Sequence, residues 1–193
     1  MHPARARFTF EEYLRVEEQS SIKHEFYEGE VYAMAGGTPE HAALSARLAV
    51  ALGAQARQGG CEVFTSDLRV RIAATGLVTY PDLTLICGAW QRDPSDSRTV
   101  LNPTLLVEVL SASTASDDRG EKLANYQRIE TLREVLLVAH DSPRLELWRK
   151  DETGRWLLLV ANAGDALRLA SVDTSLDVDD LYAGLLPSSS AAL

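Results

Sequence analysis

Residues 79–87, TYPDLTLIC, and 104–111, TLLVEVLS, are short and almost continuously apolar. Runs of this length without helical spacing read as central strands covered on both faces. Residues 133–140, REVLLVAH, have the same character. Between the last two runs, residues 117–131 carry Lys122, Tyr126 and Ile129 on one stripe beside Leu123, with Asp118 and Glu121 at capping-box spacing, and predict a helix. Thr38 as N-cap and Pro39 at the first helical position open a second helix. It runs to Gln58 before Gly59-Gly60, with Leu44, Leu48 and Leu52 along one face.

Thr9 and Glu12 form a capping box for a helix ending near Gln19. Residues 24–34, HEFYEGEVYAM, read as a hairpin turning at Glu28-Gly29. Residues 61–72 alternate, with Phe64, Leu68, Val70 and Ile72 on one face and Asp67, Arg69 and Arg71 on the other. Residues 144–150 and 155–161 read as an antiparallel pair joined near Thr153-Gly154, residues 91–103 as a surface loop, and residues 177–186 as a closing helix. Helices interleaved with strands and hairpins predict a mixed α/β sheet with helices on both faces.

The 193 residues suggest one domain over 1–186, with the Ser- and Ala-rich stretch 187–193 as a disordered tail. Hydrophobic residues make up 46% and charged residues 24%, the balance of a globular chain. No apolar run reaches membrane-spanning length, and the N-terminal ten residues have no apolar signal core. Cys61 and Cys87 read as two reduced core thiols, and the chain as cytoplasmic. A net charge of −9 argues against passive coating of nucleic acid, which takes a basic surface. It argues much less against an acidic centre that holds a metal.

Two acids interrupt the apolar strands, Asp82 and Glu108. On neighbouring strands their carboxylates would converge, and at ~4 Å and an effective dielectric of ~20 they repel by about 4 kcal/mol. A shared proton, a basic neighbour or a divalent cation must offset that, and an oxygen-rich pair suits Mg²⁺ or Mn²⁺. Lys122 is the third candidate, because a lysine on the sheet-facing edge of a helix needs a partner for its amine. Gln127 shares that edge. Asp67 reads as a solvated partner of Arg69 or Arg71 that could also join the acidic cluster. Glu25 decorates the hairpin and could face the site, and His41, in the first turn of its helix, reads as a neutral imidazole or a surface position. Glu28 and Glu30 decorate the hairpin. Ser111, Ser113 and Thr114 lack the G-x-S-x-G context of a hydrolase elbow, and neither a Walker A motif nor G-x-G-x-x-G is present.

Pro81-Asp82 followed by Glu108-Val109 on the next apolar strand is similar to the PD-(D/E)XK nuclease pattern, with Leu110 where that pattern has its lysine. The wider match runs through residues 25–34, Thr38 to His41, Ser66-Asp67-Leu68-Arg69-Val70, Tyr80-Pro81-Asp82, Asn102-Pro103, residues 107–111 with Ser113-Thr114, and Asp118-Arg119-Gly120-Glu121-Lys122 with Tyr126. Together these resemble the Uma-two family of restriction-endonuclease-like proteins, from about Phe8 to Tyr182. The resemblance implies a restriction-endonuclease-like mixed β-sheet flanked by helices, with an N-terminal hairpin and C-terminal antiparallel strands added.

It also implies that Lys122 is the motif lysine moved from strand to helix. Asp82, Glu108 and the Val109 carbonyl would then hold Mg²⁺ or Mn²⁺, and DNA phosphodiesters would be the substrate. The alternatives are a nuclease-fold binding module without activity and a hydrolase of small phosphodiesters. A homodimer is expected, because Trp148 and the alternation of Leu145, Glu146 and Leu147 suggest a sheet edge that must be covered.

Overall fold

Strand β9 (Leu105–Leu110) and strand β10 (Glu134–Ala139) lie side by side and parallel, every residue of both buried. Their continuous apolar sequences therefore meet the expectation of central strands. Strand β6 (Leu83–Cys87) runs antiparallel to β9, and strand β3 (Cys61–Thr65) closes that side. Strands β11 (Arg144–Lys150) and β12 (Trp156–Asn162) close the other, giving the order β12-β11-β10-β9-β6-β3. The computed structural model describes residues 7–34, 36–111 and 118–186. The expected tail 187–193, Ser113 and Thr114 lie outside that range.

One face of this sheet packs on helix α2 (Pro39–Gln58), whose Leu44, Leu48 and Leu52 meet Leu83, Leu85, Val107 and Val109. Thr38 caps α2 and Pro39 starts it, as the sequence predicts. A short hairpin, β13 (Ala166–Leu169) with β14 (Thr174–Asp177), and helix α4 (Val178–Tyr182) complete this side. That hairpin follows from period-two burial of Leu167 and Leu169, a pattern too short to stand out in the sequence.

The opposite face packs on a second sheet of order β2-β1-β5-β4-β8-β7. Its strands are β1 (His24–Tyr27), β2 (Glu30–Ala33), β4 (Arg69–Arg71), β5 (Val78–Thr79), β7 (Arg92–Asp93) and β8 (Asp96–Val100). Glu28 and Gly29 turn the β1–β2 hairpin with φ of 49° and 85°, the left-handed pair that a two-residue turn requires. Helix α1 (Phe10–Gln19) lays Phe10 and Tyr13 against Phe26 and Val78 of this sheet. Its capping box is present: Glu12 N–H donates to the Thr9 hydroxyl (3.2 Å) and Thr9 N–H to Glu12 Oε2 (2.7 Å). Thr9→Ala should lower stability by about 1 kcal/mol, seen as an earlier urea midpoint with an unchanged slope.

Several expectations need correction. The run 79–87 is two strands in two sheets, broken at Tyr80-Pro81-Asp82 because proline cannot donate to a ladder. The alternating run 61–72 divides likewise at Ser66–Leu68, and Arg69 is buried against Asp96 (2.9 Å) instead of facing solvent. Residues 91–103 contain the β7–β8 hairpin. The helix expected over 117–131 is short: a π-type turn at Asp118–Lys122, broken at Gly120, precedes α3 (Leu123–Tyr126). Trp148 is not on an edge, because β12 covers β11 along its whole length. Cys61 and Cys87 sit opposite each other across β3 and β6 and are disulfide-bonded, so the reduced-thiol argument for a reducing compartment falls. No helix among the described residues is long and apolar enough to cross a membrane.

Candidate active site

Asp82 stands at the corner where the chain leaves β5 of one sheet and enters β6 of the other. The β6–β9 register pairs Leu83 with Val107, so one further step sets Asp82 across from Glu108. Val107 and Val109 point into the α2 side of the core while Leu106 and Leu110 point to the other. Alternation therefore sends Glu108 to the side where Leu123 and Tyr126 pack. Lys122, one residue before Leu123, follows the same path.

The Lys122 ammonium lies 3.1 Å from Glu108 Oε1, 2.9 Å from Glu25 Oε1 and 3.4 Å from Asp118 Oδ1. Glu25 comes from the hairpin, because pairing of Phe26 with Val78 sets Glu25 beside Thr79, whose hydroxyl donates to Glu25 Oε1. The Tyr126 hydroxyl donates to Glu108 Oε1. Asp82 Oδ2 accepts from the Val109 N–H (2.7 Å) and pairs with His41 Nε2 (3.2 Å). Gly37 backs that imidazole, since a Cβ there would come within 2.6 Å of His41 Nδ1.

Burial pushes the Glu108 carboxyl up to about 8, with Lys122 opposing the rise and Asp82 and Asp118 adding to it. Burial would lower the Lys122 amine, yet Glu108, Tyr126, Glu25 and Asp118 together hold it well above its usual value. His41 is raised by its hydrogen bond to Asp82 against the effect of burial. Four carboxylates (Glu25, Asp82, Glu108, Asp118) share one lysine and one histidine. The group holds more negative charge than its own side chains neutralise.

Of the residues singled out in sequence, Asp82, Glu108, Lys122, Glu25 and His41 come together, and Val109 joins through its N–H. Asp67 does not; its exposed carboxylate pairs with Lys23 (2.6 Å) on the surface. Gln127 closes α3 through its backbone N–H to the Leu123 carbonyl (3.0 Å), and no bond from its side chain to the cluster is seen among the described residues. Sequence reasoning missed Asp118, Thr79 and Tyr126 as members. Asp118 was readable in principle, since it stands four residues before Lys122 on one turn.

Residues 10–179 match the family model Uma2, described as "Putative restriction endonuclease". The chain belongs to the Uma2 family. It is 39% identical over 175 residues to "Uncharacterized protein slr1290" of Synechocystis sp., covering 91% of each chain. It is 35% identical over 150 residues to "Uncharacterized protein sll1609" of the same organism, covering 78% of this chain and 85% of that one. Its fold is similar to that in the "Crystal structure of a putative nuclease belonging to DUF820 from Anabaena variabilis ATCC 29413", with a TM-score of 0.74 at 16% identity over 91% of this chain and 97% of the other. This Uma2 chain thus has the mixed-sheet nuclease-like architecture expected from its sequence. In it Leu110, at the strand position of the motif lysine, is buried in the core, while an ammonium reaches Glu108 from the helix side.

Proposed function

We propose that this Uma2 protein is a divalent-cation-dependent endonuclease that hydrolyses DNA phosphodiester bonds. The observation that carries the reading is the Lys122 ammonium set between Glu108, Glu25 and Asp118, beside Asp82 on the neighbouring strand corner. Family membership supports the nuclease class. The donor set fits a hard cation: it is all oxygen and crowded, and Glu108, raised chiefly by burial, is raised further by Asp82 and Asp118. No group of three His, Cys, Asp or Glu side chains among the described residues is arranged to hold an ion. The set that would hold the ion in this reading is two carboxylates, Asp82 and Glu108, completed by the Val109 carbonyl and solvent. When bound, Mg²⁺ or Mn²⁺ supplies Lewis-acid polarisation of a phosphoryl oxygen and a water of lowered pKa.

The chain's own groups do the rest. Val109 N–H and His41 fix the Asp82 carboxylate, and the Tyr126 hydroxyl fixes Glu108. Lys122 meets the scissile phosphate as a point charge and stabilises the negative charge that grows on it. With a chain charge of −9, such local cations, more than a generally basic surface, hold the phosphate. The test is nicking of supercoiled plasmid. Cleavage should appear with Mg²⁺ or Mn²⁺, stop with a chelator, and fall to background in Glu108→Ala. Plasmid left intact by the wild type with either cation would overturn the reading.

A further inference from the structure

We propose that β12 is the contact surface for a second copy of this chain, joined edge to edge so that two six-stranded sheets become one. β12 is the last strand of its sheet, and among the described residues its one ladder is with β11, so its outer backbone groups pair with no further strand, those of Asn162 alone being taken by Asp165. Leu157, Leu158, Leu159 and Val160 are 49%, 44%, 39% and 40% exposed. These four residues alternate between the two faces, so apolar surface is bared on both sides of one edge. A solitary exposed leucine is ordinary, but four in succession on an open strand is an interface pattern.

The occupant follows from charge and symmetry. From Trp156 to Asn162 there is no charged side chain, in a chain carrying −9. Copies that repel elsewhere can meet there without opposing like charges. The devices that usually blunt an edge are also missing from this strand: it has no lysine and no proline, and its seven pairs with β11 run without a bulge. The strand also complements itself. Antiparallel pairing about Leu159 sets Leu158 against Val160, Leu157 against Ala161 and Leu159 against its own copy. Such a contact is isologous and closes as a two-fold dimer, leaving no open end to propagate. It stands whether or not the protein cleaves DNA.

Light scattering at tens of micromolar should give about 42 kDa, twice the 21.1 kDa chain. Leu159→Lys puts two ammonium groups face to face at the centre and should return the mass to that of one chain, with an unchanged circular dichroism spectrum. Should that variant fail to fold, hydrogen exchange on the wild type reads the same surface. Amides of residues 156–162 should gain protection as concentration rises, while those of β2 should not. A wild-type monomer would give β12 to another chain or to residues 187–193 and overturn the proposal. So would a folded Leu159→Lys that remains a dimer, because the copies would then meet elsewhere.

Discussion

Lys122→Ala should cut plasmid cleavage by ~10²–10³-fold, about 3–4 kcal/mol of transition-state stabilisation, the usual effect of removing one preorganised donor. The ammonium lies within 3.4 Å of three carboxylates, so it is already desolvated and fixed before a phosphate arrives. Its removal leaves Glu25, Glu108 and Asp118 facing one another without their lysine, and they will take up protons to relieve the repulsion. Activity must therefore be compared at a temperature where circular dichroism shows the variant folded. Lys122→Arg should recover little, because a planar guanidinium needs room that a site between three carboxylates and Tyr126 does not give. Full cleavage by a folded Lys122→Ala would remove this residue from the chemistry.

Glu134→Ala should be the most destabilising single change away from the cluster, by about 3–5 kcal/mol. The Glu134 carboxylate is buried at the start of β10. It accepts from Arg149 Nε (2.7 Å), Ala170 N–H (3.1 Å), Ser171 N–H (2.9 Å) and the Ser171 hydroxyl. Truncation leaves a guanidinium and two backbone donors of the β13–β14 turn without their acceptor, at the full cost of their desolvation. Nuclease activity per folded molecule should be unchanged, since the bonds run to Arg149 and the turn. Chemical denaturation checks the first claim and plasmid nicking the second. A loss under about 1 kcal/mol would mean that water replaces the carboxylate.

Glu134 also shows what the sequence could and could not say. It opens an apolar strand much as Asp82 precedes one, while Glu108 and Glu146 lie within theirs. Glu134 and Glu146 are answered by arginines: Arg149 for one, Arg119 and Arg144 for the other. Glu108 is answered by one lysine shared with two more carboxylates. A buried acid is thus visible in sequence, but its partners, which separate a fastening from a reactive group, come from elsewhere in the chain. The family pattern around Pro81-Asp82 and Glu108 supplied that choice.

Fold legibility divides along the same line. α2, β9, β10 and the β1–β2 hairpin announce themselves through caps, Pro39, continuous apolar runs and Glu28-Gly29, all of them local signals. The corners at Ser66–Leu68 and Tyr80–Asp82 do not, because the apolar pattern of the sequence runs on while the strand changes partners. Proline at 81 was a warning that the apolar residues around it outweighed. The Cys61–Cys87 bond was hidden for the same reason: it depends on β3 and β6 being neighbours in register.

The Pro81 corner has one more effect. Glu25 and Thr79 hang on one hydrogen-bonded plate and Glu108 on another, and the chain between Thr79 and Leu83 ties the two. Neither plate holds the constellation by itself; only their docking, through the side-chain layer of Ile72, Val100, Leu106 and Leu110, brings the parts together. A loosened state that kept every strand but let the two plates slide would look intact by backbone spectroscopy and have no site at all. The cluster therefore reports on tertiary docking, and its integrity should fail first when the molecule is warmed.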